Sequence, residues 1–194
     1  MNLNKDFWEA RYACGETGWD IGYAAPALIA YIDQLPDKSI KILIPGAGRG
    51  HEVAYLWKCG FKNLVVVDIA QQPLAALRIK IPDLPEASLV HADFFEWGDN
   101  PFDLILEQTF FCALAPELRT SYVLKMYELL KTGGKVAGLL FDFPLTASGP
   151  PFGGCESEYL DLFKHRFFVH KLERAINSIP PRAGKELFFI FEKI

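Results

Sequence analysis

Three glycines stand between an apolar run and a helix-forming one. Pro45-Gly46-Ala47-Gly48-Arg49-Gly50 joins Lys41-Ile-Leu-Ile-Pro45 to a segment from His51 to Trp57. Glycine has no Cβ, so such a turn lets the backbone approach a ligand closely, with a helix N-terminus behind it. The same pattern also serves as a plain strand-to-helix turn. The dinucleotide fingerprint leaves two residues between its second and third glycines, whereas only Arg49 separates Gly48 from Gly50, which argues against a nicotinamide cofactor. Asp68 closes the next apolar run, Leu64-Val-Val-Val-Asp68, about twenty residues further on. A carboxylate there can accept hydrogen bonds from ribose hydroxyls, or can simply end a strand or cap a helix. Asp93 can accept from an adenine amino group while Phe94 packs on the ring; alternatively it is a solvated loop acid. Glu107-Gln108 closes Phe102-Asp-Leu-Ile-Leu-Glu107 and faces either a ligand or solvent.

These residues need a scaffold that puts the ends of several strands together. A helix is expected from Asp6 to Ala13, a Gly-rich link from Gly15 to Gly22, and a second helix from Pro26 toward Gln34. Strands are expected at 41–45, 64–68, 88–91, 102–107 and 135–143. Helices alternate with them at 51–57, 73–80 and 117–130, the last closed by Gly133-Gly134. A Pro/Gly-rich loop runs from Phe143 to Cys155, and a helix follows at 158–163. Strand-like runs at 167–172 and 186–191 flank Ser178-Ile-Pro-Pro-Arg-Ala-Gly184, which is too short for a crossover helix and therefore implies an antiparallel hairpin. The fold class is α/β, with a seven-stranded, mostly parallel, Rossmann-like sheet ending in that hairpin. This pattern favours a methyltransferase over a dehydrogenase. Ligands of such sheets sit beyond the carboxyl ends of the strands, where strand order reverses.

Composition narrows the field. The chain has 194 residues, 51% of them hydrophobic, which suits a single domain over 1–194. Its net charge of -4 disfavours a nucleic-acid partner. The four cysteines lie far apart, the four histidines show no ligand spacing, and no metal is expected. No signal peptide and no membrane span is visible, so a cytoplasmic monomer with free thiols is expected. Sixteen phenylalanines build an aromatic core, an aromatic-lined pocket, or both.

Several motifs occur in order. They are Phe7-Trp8-Glu9, Gly18-Trp19-Asp20, Ile44-Pro45-Gly46-Ala47-Gly48-Arg49-Gly50-His51-Glu52-Val53 and Val67-Asp68-Ile69, followed by Phe94-Phe95, Phe102 to Glu107, Phe111-Cys112-Ala113-Leu114 and Gly149-Pro150-Pro151-Phe152. Along nearly its whole length the chain resembles the thiopurine S-methyltransferase superfamily, which also contains thiocyanate and halide methyltransferases. The resemblance implies S-adenosylmethionine as cofactor and an N-terminal segment, 1–22, that covers it. It implies cofactor contacts at Trp8, Tyr12, Trp19, Gly46, Asp68, Asp93, Phe94 and Gln108, with Gly48 in the same turn. Tyr12 stands where halide-type members carry a third Trp. Gln108 stands where thiopurine-type members carry an Arg and halide-type members a Tyr.

A methyl group on a sulfonium is already an activated electrophile, so the protein's tasks are orientation and desolvation. Trp8, Tyr12 and Trp19 can pack on that cation, or Trp8 and Tyr12 can form a core-facing stripe one helical turn apart. Phe110, Phe111, Pro151 and Phe152 can wall a pocket for a small-molecule acceptor, or belong to the core. Arg119 either orients an anionic acceptor or pairs with Glu117. No histidine is placed to activate Cys112 or Cys155. The leading expectation is methyl transfer to a thiol or thiolate sulfur, with thiocyanate and halides next. A non-catalytic cofactor-binding module is the rival of another class.

Overall fold

The computed structural model describes residues 3–99 and 101–194, so Met1 and Asn2 of the expected 1–22 segment lie outside it. Seven strands form one sheet: β1 (Ile42–Pro45), β2 (Leu64–Asp68), β3 (Leu89–His91), β4 (Phe102–Gln108), β5 (Leu130–Phe141), β6 (Phe167–Arg174) and β7 (Glu186–Lys193). Their order is β3-β2-β1-β4-β5-β7-β6. β1 to β5 run parallel, and β7 is antiparallel to both β5 and β6. The expected sheet and terminal hairpin are both present. The chain winds outward from β1 to β3 and then restarts at β4 on the other side of β1. Strand order therefore reverses between β1 and β4, and the crevice opens beyond Pro45 and Gln108.

Both faces of the sheet are covered, as parallel strands require. Ile42, Ile44, Leu64, Val66, Leu104 and Leu106 point to one face. There they pack on buried residues of α2 (Pro26–Ile32), α3 (His51–Lys58) and α4 (Gln71–Lys80). The alternate residues Leu43, Val65, Val67 and Ile105 point to the other face, against α5 (Arg119–Leu129) and α6 (Glu156–Phe163). Most of the buried rings collect on this second face, including Phe102, Phe111, Tyr122, Tyr159, Phe163, Phe189 and Phe191. Burying each contributes up to about 3 kcal/mol.

The region expected as one long helix closed by glycines is arranged differently. Pro116–Leu118 make a single tight turn, α5 spans only Arg119–Leu129, and the chain is already extended at Leu130. Gly133 and Gly134 lie inside β5, where pairing jumps from Phe102↔Leu130 to Leu104↔Lys135. Gly133 has a φ of 75°, and a Cβ on Gly134 would sit 2.9 Å from the carbonyl oxygens of Lys131 and Phe102. The glycines thus absorb a strand irregularity rather than ending the helix.

Candidate functional site

The glycine turn leaves β1 with positive φ at Gly46 (75°), Gly48 (53°) and Gly50 (65°). Side chains rarely adopt that conformation. Space is restricted as well: a Cβ on Gly46 would lie 2.8 Å from Phe110 Cδ2. Asp68, at the end of β2, holds the turn in place. Its Oδ2 accepts from the Ala47 N–H at 2.7 Å and its Oδ1 from the Ala70 N–H at 2.8 Å. Burial pushes its carboxyl up to about 6, although both backbone donors pull the other way. The strand-end role is therefore real, yet each oxygen keeps a second lone pair for a ligand hydroxyl.

The N-terminal segment lies against this turn. Its helix α1 (Lys5–Ala13) docks through Glu9, whose Oε1 accepts from the Gln71 N–H at 2.7 Å, at the positive end of α4. Trp8 and Tyr12 are half-buried and no residue of α1 is fully so; the two are not a core stripe. Trp19 instead meets both edge to face, at 5.7 Å from Trp8 and 5.6 Å from Tyr12. The Trp19 Nε1 lies 3.9 Å from the Cβ position of Gly48. Burial drives the Tyr12 phenol far above its ordinary range, and the Asp68 carboxylate adds to the effect. Asp20 completes the docking, accepting from the Gly22 N–H at 2.8 Å and lying 2.9 Å from His51 Nε2. Trp8, Tyr12, Trp19, Gly46, Gly48 and Asp68 thus meet at one place.

Asp93 forms a local turn, its Oδ1 accepting from the Phe95 N–H at 2.8 Å. Phe94 is buried, with its ring 5.2 Å from that of Phe110. The end of β4 divides sharply. Glu107 is wholly buried and faces neither ligand nor solvent. Its Oε1 accepts from the Phe110 and Phe111 N–H groups at 2.8 and 2.9 Å, and its Oε2 from the Tyr122 hydroxyl at 2.7 Å. Burial pushes this carboxyl up to about 7 against those three donors. The Gln108 Oε1 atom is buried and finds no hydrogen-bond partner among the described residues. Thr109 follows with a φ of 58°, a strained conformation for a β-branched residue.

On the acceptor side two of the named residues have partners within the core. Phe111 is only 1% exposed, edge-on to Tyr122 at 5.0 Å and Tyr159 at 5.6 Å, and so belongs to the core. Phe110, half-buried above Gly46, is the ring at the crevice. Arg119 is 3% exposed; it pairs with Glu158 rather than Glu117, donates to the Gly153 carbonyl at 2.6 Å and lies over the Phe111 ring. It ties α5 to α6 and to the loop, and presents no free fork to a substrate. Phe152 is held by its N–H donating to the Cys112 carbonyl at 2.8 Å, and Pro151 beside it is exposed. The Cys112 thiol is pushed far up by burial, then by Glu107, so it stays protonated. Sequence reasoning missed Arg182, which reaches from the β6–β7 connector to the Trp19 carbonyl at 2.7 Å. Only its place in a Pro-rich connector marked it out.

An open depression of about 590 Å³, lined by Asp37, Lys41, Asn63, Asp103 and Lys131 among others, lies at the amino ends of the strands. That is the wrong end of an open sheet for its ligand. Among the described residues no group of three or more His, Cys, Asp or Glu side chains is placed to hold a metal ion. No helix there is long and apolar enough to cross a membrane.

A family model described as thiopurine S-methyltransferase matches residues 3–193. Thiocyanate methyltransferase 1 of Brassica oleracea is 33% identical over 192 residues, covering 96% of this chain and 84% of the relative. A probable thiol methyltransferase 2 of Arabidopsis thaliana is 33% identical over 156 residues, 78% of this chain and 69% of the relative. Among solved structures, a Burkholderia thailandensis 1,6-didemethyltoxoflavin-N1-methyltransferase with bound S-adenosylhomocysteine superposes with a TM-score of 0.80. It shares 22% identity and covers 97% of this chain and 86% of its own.

Proposed function

The chain belongs to the thiopurine S-methyltransferase family and is an S-adenosylmethionine-dependent methyltransferase, and on that premise we propose that it methylates the sulfur of a small thiolate. When bound, the cofactor supplies a methyl group already activated on a sulfonium. The residues beyond the strand ends fit it. Asp68 has lone pairs left that would accept from ribose hydroxyls, and Asp93, with Phe94 beside it, would hold the adenine. The positive-φ glycines bring backbone to the ligand. Trp8, Tyr12 and Trp19 would cover the sulfonium and its methionyl arm, and the orphaned Gln108 Oε1 would accept an N–H or O–H from a ligand.

One observation carries the choice of an acceptor that arrives as an anion: the buried Glu107 carboxyl, the buried Cys112 thiol and the half-buried His51 are already committed to partners within the protein. Glu107 accepts from three donors inside the core, and the Cys112 thiol donates to the Thr109 carbonyl at 3.3 Å. His51 is held at both ring nitrogens, Nε2 by Asp20 at 2.9 Å and Nδ1 by Lys80 Nζ at 3.1 Å. None of these three groups is free to remove an acceptor's proton. The half-buried Phe110 lies above Gly46, and the Phe152 N–H bond to the Cys112 carbonyl brings Pro151 and Phe152 to the same turn, which would give an apolar wall suited to an aromatic or alkyl thiolate. Thiocyanate is the second reading, favoured by the name of the Brassica oleracea relative. We further read the protein as a cytoplasmic monomer: its four cysteines are free, and its large exposed apolar side chains, such as Ile79, Phe168 and Ile176, are scattered.

The test is methyl transfer from labelled cofactor across thiols of graded pKa. A free thiol ionises near 8.5, so the rate should climb with pH toward each acceptor's own pKa. The inflection should move when the thiol is changed, and thiocyanate should show no climb. An inflection fixed across thiols places a base on the enzyme and overturns the reading. So does an oxygen or nitrogen nucleophile as the sole acceptor.

A further inference from the structure

Arg182 links the two ends of the chain across the crevice. It ends a tight turn, Pro180–Arg182, in the connector between β6 and β7. Its Nη2 donates to the Trp19 carbonyl at 2.7 Å, and its Nη1 lies 3.4 Å from Glu186 Oε1. The guanidinium also lies 5.6 Å from the centre of the Phe141 ring, at the carboxyl end of β5. The Arg182 side chain is 12% exposed and that of Glu186 3%. A charge this deeply placed is held by its partners or not at all.

The connector is fixed independently of that contact. Arg174 donates to the Gly184 carbonyl and pairs with Asp142. The Lys185 N–H donates to the Arg182 carbonyl at 2.9 Å, and the Asp142 N–H to the Lys185 carbonyl at 2.8 Å. Around Trp19 the N-terminal segment is tied to the glycine turn and the start of α3, where Asp20 lies 2.9 Å from His51 Nε2 and Arg49 Nη2 donates to Thr17 Oγ1 at 3.4 Å. Its backbone bonds there are local, such as Asp20 N–H to the Thr17 carbonyl at 2.9 Å and Gly22 N–H to Asp20 at 2.8 Å. Arg182 is the contact that joins this stretch to the fixed connector of the C-terminal hairpin.

We propose that Arg182 is a positioning residue that latches the segment carrying Trp8, Tyr12 and Trp19 to the C-terminal hairpin, so that covering the cofactor and shaping the β5 side of the acceptor pocket are one event. This rests on the reading of the N-terminal segment as the cofactor's cover. Arg182 touches Trp19 through the backbone carbonyl, so the latch acts whichever side chain position 19 carries. Glu186, opposite Phe141 in the β5–β7 register, holds the guanidinium at the right height.

The experiment compares wild type with Arg182→Met, which keeps the stem and removes the donors, and Arg182→Lys, which keeps one donor group. Amide hydrogen exchange at Glu16, Thr17, Asp20 and Gly22 is followed without cofactor, then in saturating S-adenosylhomocysteine. Losing a charged hydrogen bond should speed exchange at these amides at least about tenfold in Arg182→Met, with exchange in β1 and β4 unchanged and partial recovery in Arg182→Lys. Affinity for S-adenosylhomocysteine should fall about tenfold, while kcat at saturating cofactor changes less than about threefold. Unchanged exchange at the four amides overturns the latch. So does a uniform acceleration that includes the core strands, which would make Arg182 merely structural. Should Arg182→Met fail to fold, Arg182→Lys carries the test by itself: protection equal to wild type at those amides, with equal cofactor affinity, overturns the proposal. Faster exchange without cofactor but unaltered affinity leaves the latch standing and removes the cover reading instead, so the two failures are distinguishable.

Discussion

Asp68 and Glu107 end strands that flank β1 on either side, and both accept backbone N–H donors. In the proposed function one serves the cofactor half of the crevice and the other the acceptor half, and they are built in opposite ways. Asp68 clamps the glycine turn but stays at the rim, 8% exposed, with lone pairs left over. Glu107 shares the parity of Ile105 in β4, so the pleat turns it beneath the sheet edge toward Tyr122 of α5. It fastens the turn that carries Phe110 and Phe111, and every donor near it is used. The cofactor half is thus made of backbone and carboxylate aimed outward. The acceptor half is made of rings whose places are set from within.

The largest effect should come from Glu107→Ala. It strands three donors in the core and should cost about 3–5 kcal/mol of stability in urea unfolding. Glu107→Gln should cost clearly less, because one oxygen still accepts. A loss under about 1 kcal/mol in Glu107→Ala would erase the contrast. Asp68→Ala should instead act mainly on the ligand. Titration calorimetry with S-adenosylhomocysteine should show affinity at least about tenfold weaker in a protein that still unfolds cooperatively. If affinity holds, Asp68 only clamps the turn.

Two neighbouring rings sharpen the comparison. Phe111→Leu should lower stability by about 1–1.5 kcal/mol and leave acceptor KM within about twofold. Phe110→Leu should lower stability less and change acceptor KM by a larger factor. Equal kinetic effects would place both rings at the crevice.

The smallest effect is in pH. Both carboxyls sit above their unfolded values, Asp68 at about 6 and Glu107 at about 7. In the window between about 4 and 7 the folded state therefore holds more protons, and their contribution is full below the unfolded pKa and is lost as pH rises through the folded one. Asp20, Asp103 and Glu192 are shifted downward and act in the opposite sense at lower pH. Tm should decline as pH rises through that window, and Glu107→Gln should flatten the decline. An unchanged slope in Glu107→Gln would mean that Glu107 does not titrate there.

Local patterns made much of this legible. The glycine turn, Asp68 and the strands were readable because each depends on a few adjacent residues: missing Cβ atoms, a charge at the end of an apolar run, alternation with period two. Even the inward turn of Glu107 was implicit in the alternation of β4, since it shares a face with Ile105. The early start of β5 was less accessible, because a Gly-Gly pair ends a helix as readily as it bulges a strand.

The sequence by itself determined the sheet, its hairpin, the glycine turn with Asp68, and, through its ordered motifs, the family. These features are written in short-range patterns that the backbone must obey wherever the rest of the chain goes. Tertiary structure alone decided which of two adjacent phenylalanines reaches the crevice. It also gave Arg119 to Glu158, 39 residues away, and Arg182 to Trp19, 163 residues away. A buried cation goes to whichever acceptor the fold brings within reach of its rigid fork, and that choice is made by packing across the whole chain.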